Sequence, residues 1–183
     1  LEHPFSINGT QVPSLRVILN EIEPLITKQD LRFATLMHGD PCFSNILYDF
    51  KSKSVKLIDP RGVDIEGNLS IYGDFRYDVG KLAHSIIGMF DFIIGGMFEY
   101  SETTPYDVNL SFEITDDIKS IQNYFCQQKF GGYTIDELST YPVLIHLFLS
   151  MLPLHNDYPT RQKAMLANAL RLYLEYYDNK NNN

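Results

Sequence analysis

Apolar residues recur at helical spacing along most of this chain and gather into short β-prone runs near its start. Leu15, Ile18, Leu19, Ile22, Leu25 and Ile26 share one face, and Pro13 suits a first turn, so the pattern predicts a leading helix over about 13–28. In "NILYDFKSKSVKLIDP" the runs Ile46–Tyr48 and Val55–Ile58 flank the polar "DFKSKS", which predicts a tight hairpin. From Tyr77, "YDVGKLAHSIIGMFDFIIGGMF" reads as one long buried helix, loosened near Gly95–Gly96. A short hairpin is expected between about Met97 and Ile114, around "TTPYD".

The last third reads as helical. Thr115 or Asp116 can cap "DIKSIQNYFCQQKF", and Gly131–Gly132 stop it. Thr134 and Glu137 have capping-box spacing before "LSTYPVLIHLFLSML", where Pro142 predicts a kink or a break. Thr160 can cap a final helix, and "DNKNNN" reads as a frayed polar tail. The expected outline is mostly α, with a small hairpin carrying the polar motifs: segment 36–62, followed by a helical subdomain over 74–178.

Composition narrows the function classes. A chain of 183 residues with 44% hydrophobic content is long enough for one domain with a substantial core. A net charge of −8, without a basic cluster, argues against a nucleic-acid partner. Cys42 and Cys126 lack metal-ligand or disulfide-framework spacing, which fits a reducing, cytoplasmic setting. Lys81, His84 and Asp91 break up the apolar region around Ile86–Met97, so no membrane span is expected, and no leader peptide is recognisable.

The chemistry concentrates in "MHGDPCFSN". His38-x-Asp40-x-x-x-x-Asn45 sets a carboxylate and a carboxamide on one loop, and Asp59 ends the strand "VKLID" where the hairpin returns to that loop. Two carboxylates and an asparagine converging there would suit Mg²⁺, which takes hard oxygen ligands and leaves room for phosphate oxygens. Asp74 and Asp78 follow at the entrance of the long helix. Taken singly, each of these residues is more often structural: Asp40 as a turn cap, Asp59 before Pro60 as a strand-ending turn. Their order and spacing carry the signal.

"HGDPCFSN" resembles the catalytic loop of kinases, and "IDPRG" resembles the metal-binding D-x-G element that follows it. Gly39 and "YDVGKL" are more similar to the aminoglycoside phosphotransferase and choline kinase branch, and "LFLSMLPLH…P.RQ" to its sugar- or capsule-related members. The resemblance implies a kinase-like C-terminal lobe using Mg²⁺ and ATP or GTP to phosphorylate a small-molecule hydroxyl. Asp40 would act as base, Asn45 and Asp59 would hold the metal, and His38 and Asp78 would shape the loop. Arg61, where protein kinases have a D-F-G element, would touch phosphate or acceptor. His84, His155 and Asp157 are weaker candidates for the acceptor side, with core packing or loop solvation as the plain alternatives.

The expected N-terminal lobe is missing. Only Leu1 to Met37 precede the motif, Gly9 stands alone in "SINGTQ", and Lys28 lacks a strand context. That lobe would belong to the same or another polypeptide. The alternatives are a non-catalytic interaction module on the same scaffold and, more weakly, a metal-dependent hydrolase, which would want more histidine ligands.

Overall fold

Asn8 and Gly9 take φ of 51° and 79°, the pair of positive values that a two-residue type I′ turn requires. In the computed structural model, which describes residues 2–28, 30–64 and 66–181, this turn joins β1 (Phe5–Ile7) to β2 (Thr10–Val12). The N-terminal hairpin is absent from the sequence-based outline. Ser14 rather than Pro13 then opens α1 (Leu15–Thr27), its hydroxyl accepting from the Val17 N–H.

A strand that the sequence does not predict, β3 (Ala34–Leu36), leads into the motif loop, and the expected hairpin follows as β4 (Ile46–Asp49) and β5 (Ser54–Leu57), paired antiparallel. A further short strand, β6 (Tyr72–Asp74), pairs with β3 and leads straight into α2 (Phe75–Ile86). That ladder fixes where α2 starts: beside the segment that leaves β3. Asp74 caps the helix by accepting from the Arg76 N–H, and grips the same arginine's guanidinium.

The long helix expected from Tyr77 breaks earlier than Gly95–Gly96. It stops at Gly88–Met89, where Met89 has φ 55°, and resumes as α3 (Phe90–Ile94). Packing explains the position. A Cβ on Gly88 would meet the His84 carbonyl at 2.6 Å and the Phe148 ring at 2.7 Å, so the turn after α2 passes against the helix that carries Phe148 at a position that has room only for glycine.

The hairpin around "TTPYD" forms as β7 (Glu99–Thr104) and β8 (Asp107–Ser111), and β8 also pairs in parallel with β1. The resulting sheet runs β2-β1-β8-β7. Thr115 caps α4 (Asp116–Gln127). Thr134 and Glu137 close their capping box, but α5 (Thr140–Ser150) begins only after Ser139, at φ 53°. Pro142 therefore falls in the first turn, where its missing N–H breaks no helical bond, and it causes no kink. α6 (Pro159–Asn181) starts one residue before Thr160 and continues into the segment expected to fray, whose last two residues, 182 and 183, lie outside the described residues.

Helices account for 48% and strands for 20%, so the fold is α+β with small sheets. The core lies where α2, α5 and α6 meet, around Leu144, Ile145, Phe148, Met165 and Leu170. No helix among the described residues is long and apolar enough to cross a membrane.

His84 belongs to this core, not to an acceptor-facing surface. It is fully buried, with ring centroids 4.3 Å from both Phe90 and Phe148, and neither ring nitrogen has a hydrogen-bond partner among the described residues. Burial, aided by the Lys81 charge, lowers its pKa from 6.5 to about 3. The unfolded chain therefore takes up a proton below about pH 6.5 that the folded chain refuses. This contribution to stability is intact above that pH and falls by up to about 1.4 kcal/mol per unit as the pH drops. Urea denaturation of His84→Leu between pH 7 and 4 should show a shallower acid decline than the parent; equal slopes would contradict the assignment.

Candidate active site

One face of α2 organises the loop that carries the motif. Asp78, Lys81 and Ser85 project from successive turns at spacings of three and four, so they share a side of the helix. The Asp78 carboxylate accepts from the His38 N–H at 2.7 Å and the Gly39 N–H at 2.8 Å. Lys81 Nζ lies 2.8 Å from Asp40 Oδ1, and Ser85 Oγ accepts from the Phe43 N–H at 3.1 Å. The loop is thus fastened at its start, middle and end. In the sequence Ser85 stands beside His84 as a candidate for the acceptor side, and Lys81 reads only as a charge that interrupts an apolar run. Their spacing from Asp78 was the available signal.

Gly39 makes the tight loop possible. Its φ of 84° favours glycine, and a Cβ there would lie 2.6 Å from the Arg61 Cβ. The same contact draws the strand end in, because the Arg61 N–H donates to the His38 carbonyl at 2.8 Å. His38 Nδ1 accepts from the Asp40 N–H at 3.2 Å, which bends the loop and leaves a buried Nε2 unpartnered.

Asn45 and Asp59 meet through the hairpin. Ile46 pairs with Leu57, and the Ile58 N–H donates to the Asn45 carbonyl at 3.0 Å, which places Asp59 one residue beyond Asn45 across the ladder. The Asn45 amide nitrogen donates to the Asp40 carbonyl at 2.9 Å, so its Oδ1 faces away with no protein donor among the described residues. Asp59 is exposed, has no hydrogen-bond or ion-pair partner among the described residues, and takes φ 56°. A non-glycine residue in that region is strained by roughly 1–3 kcal/mol, a penalty that recurs at ligand-holding positions.

Asn45 and Asp59 are the residues here that could hold a hard cation such as Mg²⁺. No group of three or more His, Cys, Asp or Glu side chains close enough to hold a metal occurs among the described residues. A phosphate-bound Mg²⁺ needs only one or two carboxylates, and the free oxygens of Asn45 and Asp59 have the required hard-donor chemistry.

Asp40 is divided between two environments. Its side chain is 40% exposed, yet Oδ1 is buried against Lys81 and lies off hydrogen-bond geometry, so Oδ2 is the oxygen presented outward. The Arg61 guanidinium lies 5.5 Å from the Tyr77 ring centroid and has no carboxylate partner among the described residues. It lines a cavity of about 530 Å³ with Met37, Asp74, Tyr77, His146 and Leu147. Asp40, Asn45 and Asp59 do not line that cavity.

Two expected acceptor-side residues lie elsewhere. His155 ends a short 3-10 turn packed against α5 and α6, and Asp157 is exposed just after it. Neither forms a hydrogen bond or ion pair with the 38–45 loop among the described residues. Burial and the Arg161 charge lower the His155 pKa, as expected of a partly buried imidazole.

Removing the Asp78 carboxylate strips two buried-side N–H groups of a charged acceptor. Asp78→Ala should lower unfolding stability by roughly 2–4 kcal/mol and speed amide exchange at His38 and Gly39. A loss confined to global stability, with exchange at those two amides unchanged relative to the rest, would contradict the anchor.

Compared with protein-family models, curated proteins and solved structures, the chain gives no match.

Proposed function

We propose that this chain is the helical, C-lobe part of a phosphotransferase that moves the γ-phosphate of ATP or GTP to a small-molecule hydroxyl. A sugar, an amino alcohol or an aminoglycoside is the acceptor class. The observation that carries the reading is that one loop and strand end bring Asp40, Asn45 and Asp59 together, with the Asn45 side-chain oxygen and the Asp59 carboxylate free of protein partners among the described residues and the outer oxygen of Asp40 left over from its pair with Lys81. Lys81 offsets the charge of Asp40 but leaves Asp59 without a cation among the described residues, and a site for Mg²⁺ and phosphate would account for that carboxylate.

In this reading Asp40 Oδ2 orients the acceptor hydroxyl and takes its proton. Asn45 Oδ1 and Asp59 hold Mg²⁺, which neutralises charge on the nucleotide phosphates when bound. His38 and Asp78 keep the loop shape. Arg61 stands beside the loop as an unpaired cation for a phosphate or acceptor group.

The hairpins around this site carry exposed apolar side chains: Leu36 is 64% exposed, Phe50 84% and Val55 61%. Such a surface suits a covering β-rich segment from the same or another polypeptide, which would roof the nucleotide. The same apolar surface also suits a non-catalytic interaction module, which the free metal-ready oxygens argue against.

Transfer of labelled γ-phosphate from Mg-ATP to a panel of sugars, amino alcohols and aminoglycosides tests the reading. Asp40→Asn should lower turnover by about 10²-fold or more. Unchanged turnover in Asp40→Asn would remove Asp40 as base.

A further inference from the structure

We infer that Lys81 is a positioning residue for phosphoryl transfer, acting through Asp40; this rests on the phosphotransferase reading. Lys81 rises from the middle of α2 with its side chain only 12% exposed, and Asp40 is its ion-pair partner. An ammonium this enclosed requires a counter-charge, and the carboxylate it meets is the one that faces the acceptor.

The loop does not depend on this contact for its attachment. Asp78 already fastens His38 and Gly39, and Ser85 already fastens Phe43, in both cases through backbone N–H groups. Among the described residues Lys81 is the ion-pair partner of the motif aspartate's side chain, and it meets one oxygen. The Nζ sits against the buried Oδ1, so the carboxylate is turned with Oδ2 outward. Free rotation about the Cβ–Cγ bond would otherwise spread the acceptor-facing oxygen over many directions. Holding a reacting group in one geometry removes that entropy from the barrier.

The step balances with this arrangement. The acceptor oxygen forms a bond to the γ-phosphorus as the bond to the β–γ bridging oxygen breaks. The electron pair leaves with the nucleoside diphosphate, and the hydroxyl proton passes to Asp40 Oδ2. The Lys81 ammonium stays protonated throughout and keeps a fixed positive charge behind the reacting groups, where negative charge is redistributed.

Binding of Mg-ADP, with and without fluoroaluminate as the planar phosphoryl mimic, tests this by titration calorimetry. Parent, Lys81→Met, Lys81→Arg, Asp40→Asn and the Asp40→Asn/Lys81→Met double variant are compared. The parent should gain affinity when fluoroaluminate is added. Lys81→Met should lose at least about tenfold of that gain while binding Mg-ADP alone within about twofold of the parent. Lys81→Arg should keep part of the gain, which separates loss of charge from loss of fold. The double variant should be no worse than Asp40→Asn, because Lys81 acts through that carboxylate. A full gain in Lys81→Met overturns the role of Lys81 and leaves the phosphotransferase reading standing. Additive losses in the double variant overturn action through Asp40. A parent that binds Mg-ADP without any fluoroaluminate gain overturns the phosphotransferase reading itself, and the Lys81 role with it.

Discussion

The Asp78 carboxylate, accepting from two consecutive backbone N–H groups at His38 and Gly39, is the contact on which the site geometry depends. A charged acceptor shared by neighbouring amides is stronger than neutral hydrogen bonds and fixes the direction of the peptide planes. It lies at the first turn of α2, where the helix is held to β3 through β6. From that anchor the loop runs past Lys81 to Ser85, and the strand end returns against Gly39 through Arg61. Loosening Asp78 would therefore release Asp40 and Asp59 together, although neither touches it.

The electrostatics divide cleanly between support and reaction. Asp74 is committed to a helix cap and to Arg76, and Asp78 to backbone amides. Asn45 spends its amide nitrogen on the loop and keeps its oxygen free, and Asp59 keeps its whole carboxylate free among the described residues. Asp59 shares its left-handed φ with turn residues such as Asn8 and Met89, and differs from the other site carboxylates in having no hydrogen-bond or ion-pair partner among the described residues.

Much of this arrangement was legible in the amino-acid order, and the failures have physical causes. The β4–β5 hairpin, the Thr115 cap and the "TTPYD" hairpin follow from local turn and cap chemistry, which acts over a few residues. The Asn8–Gly9 turn was equally local and was passed over because Gly9 was weighed only as part of a phosphate-binding loop. β3 and β6 are three residues each, too short for any period to show, and they exist because they pair with each other. The break at Gly88 depends on Phe148, sixty residues away, and no local pattern carries that contact. His84 looked functional because imidazoles so often are, but helix phase puts it against Phe90 and Phe148. Lys81 shares the phase of Asp78, and counting from that aspartate would have found it.

The central claim is that Asn45 and Asp59 form a metal-dependent half of a nucleotide site. Calorimetric titration of ATP with and without Mg²⁺, in the parent and in Asp59→Ala, measures this most directly. The account predicts binding that requires Mg²⁺ and weakens by at least about tenfold in Asp59→Ala. Binding that is indifferent to the metal, or that Asp59→Ala leaves unchanged, would contradict it.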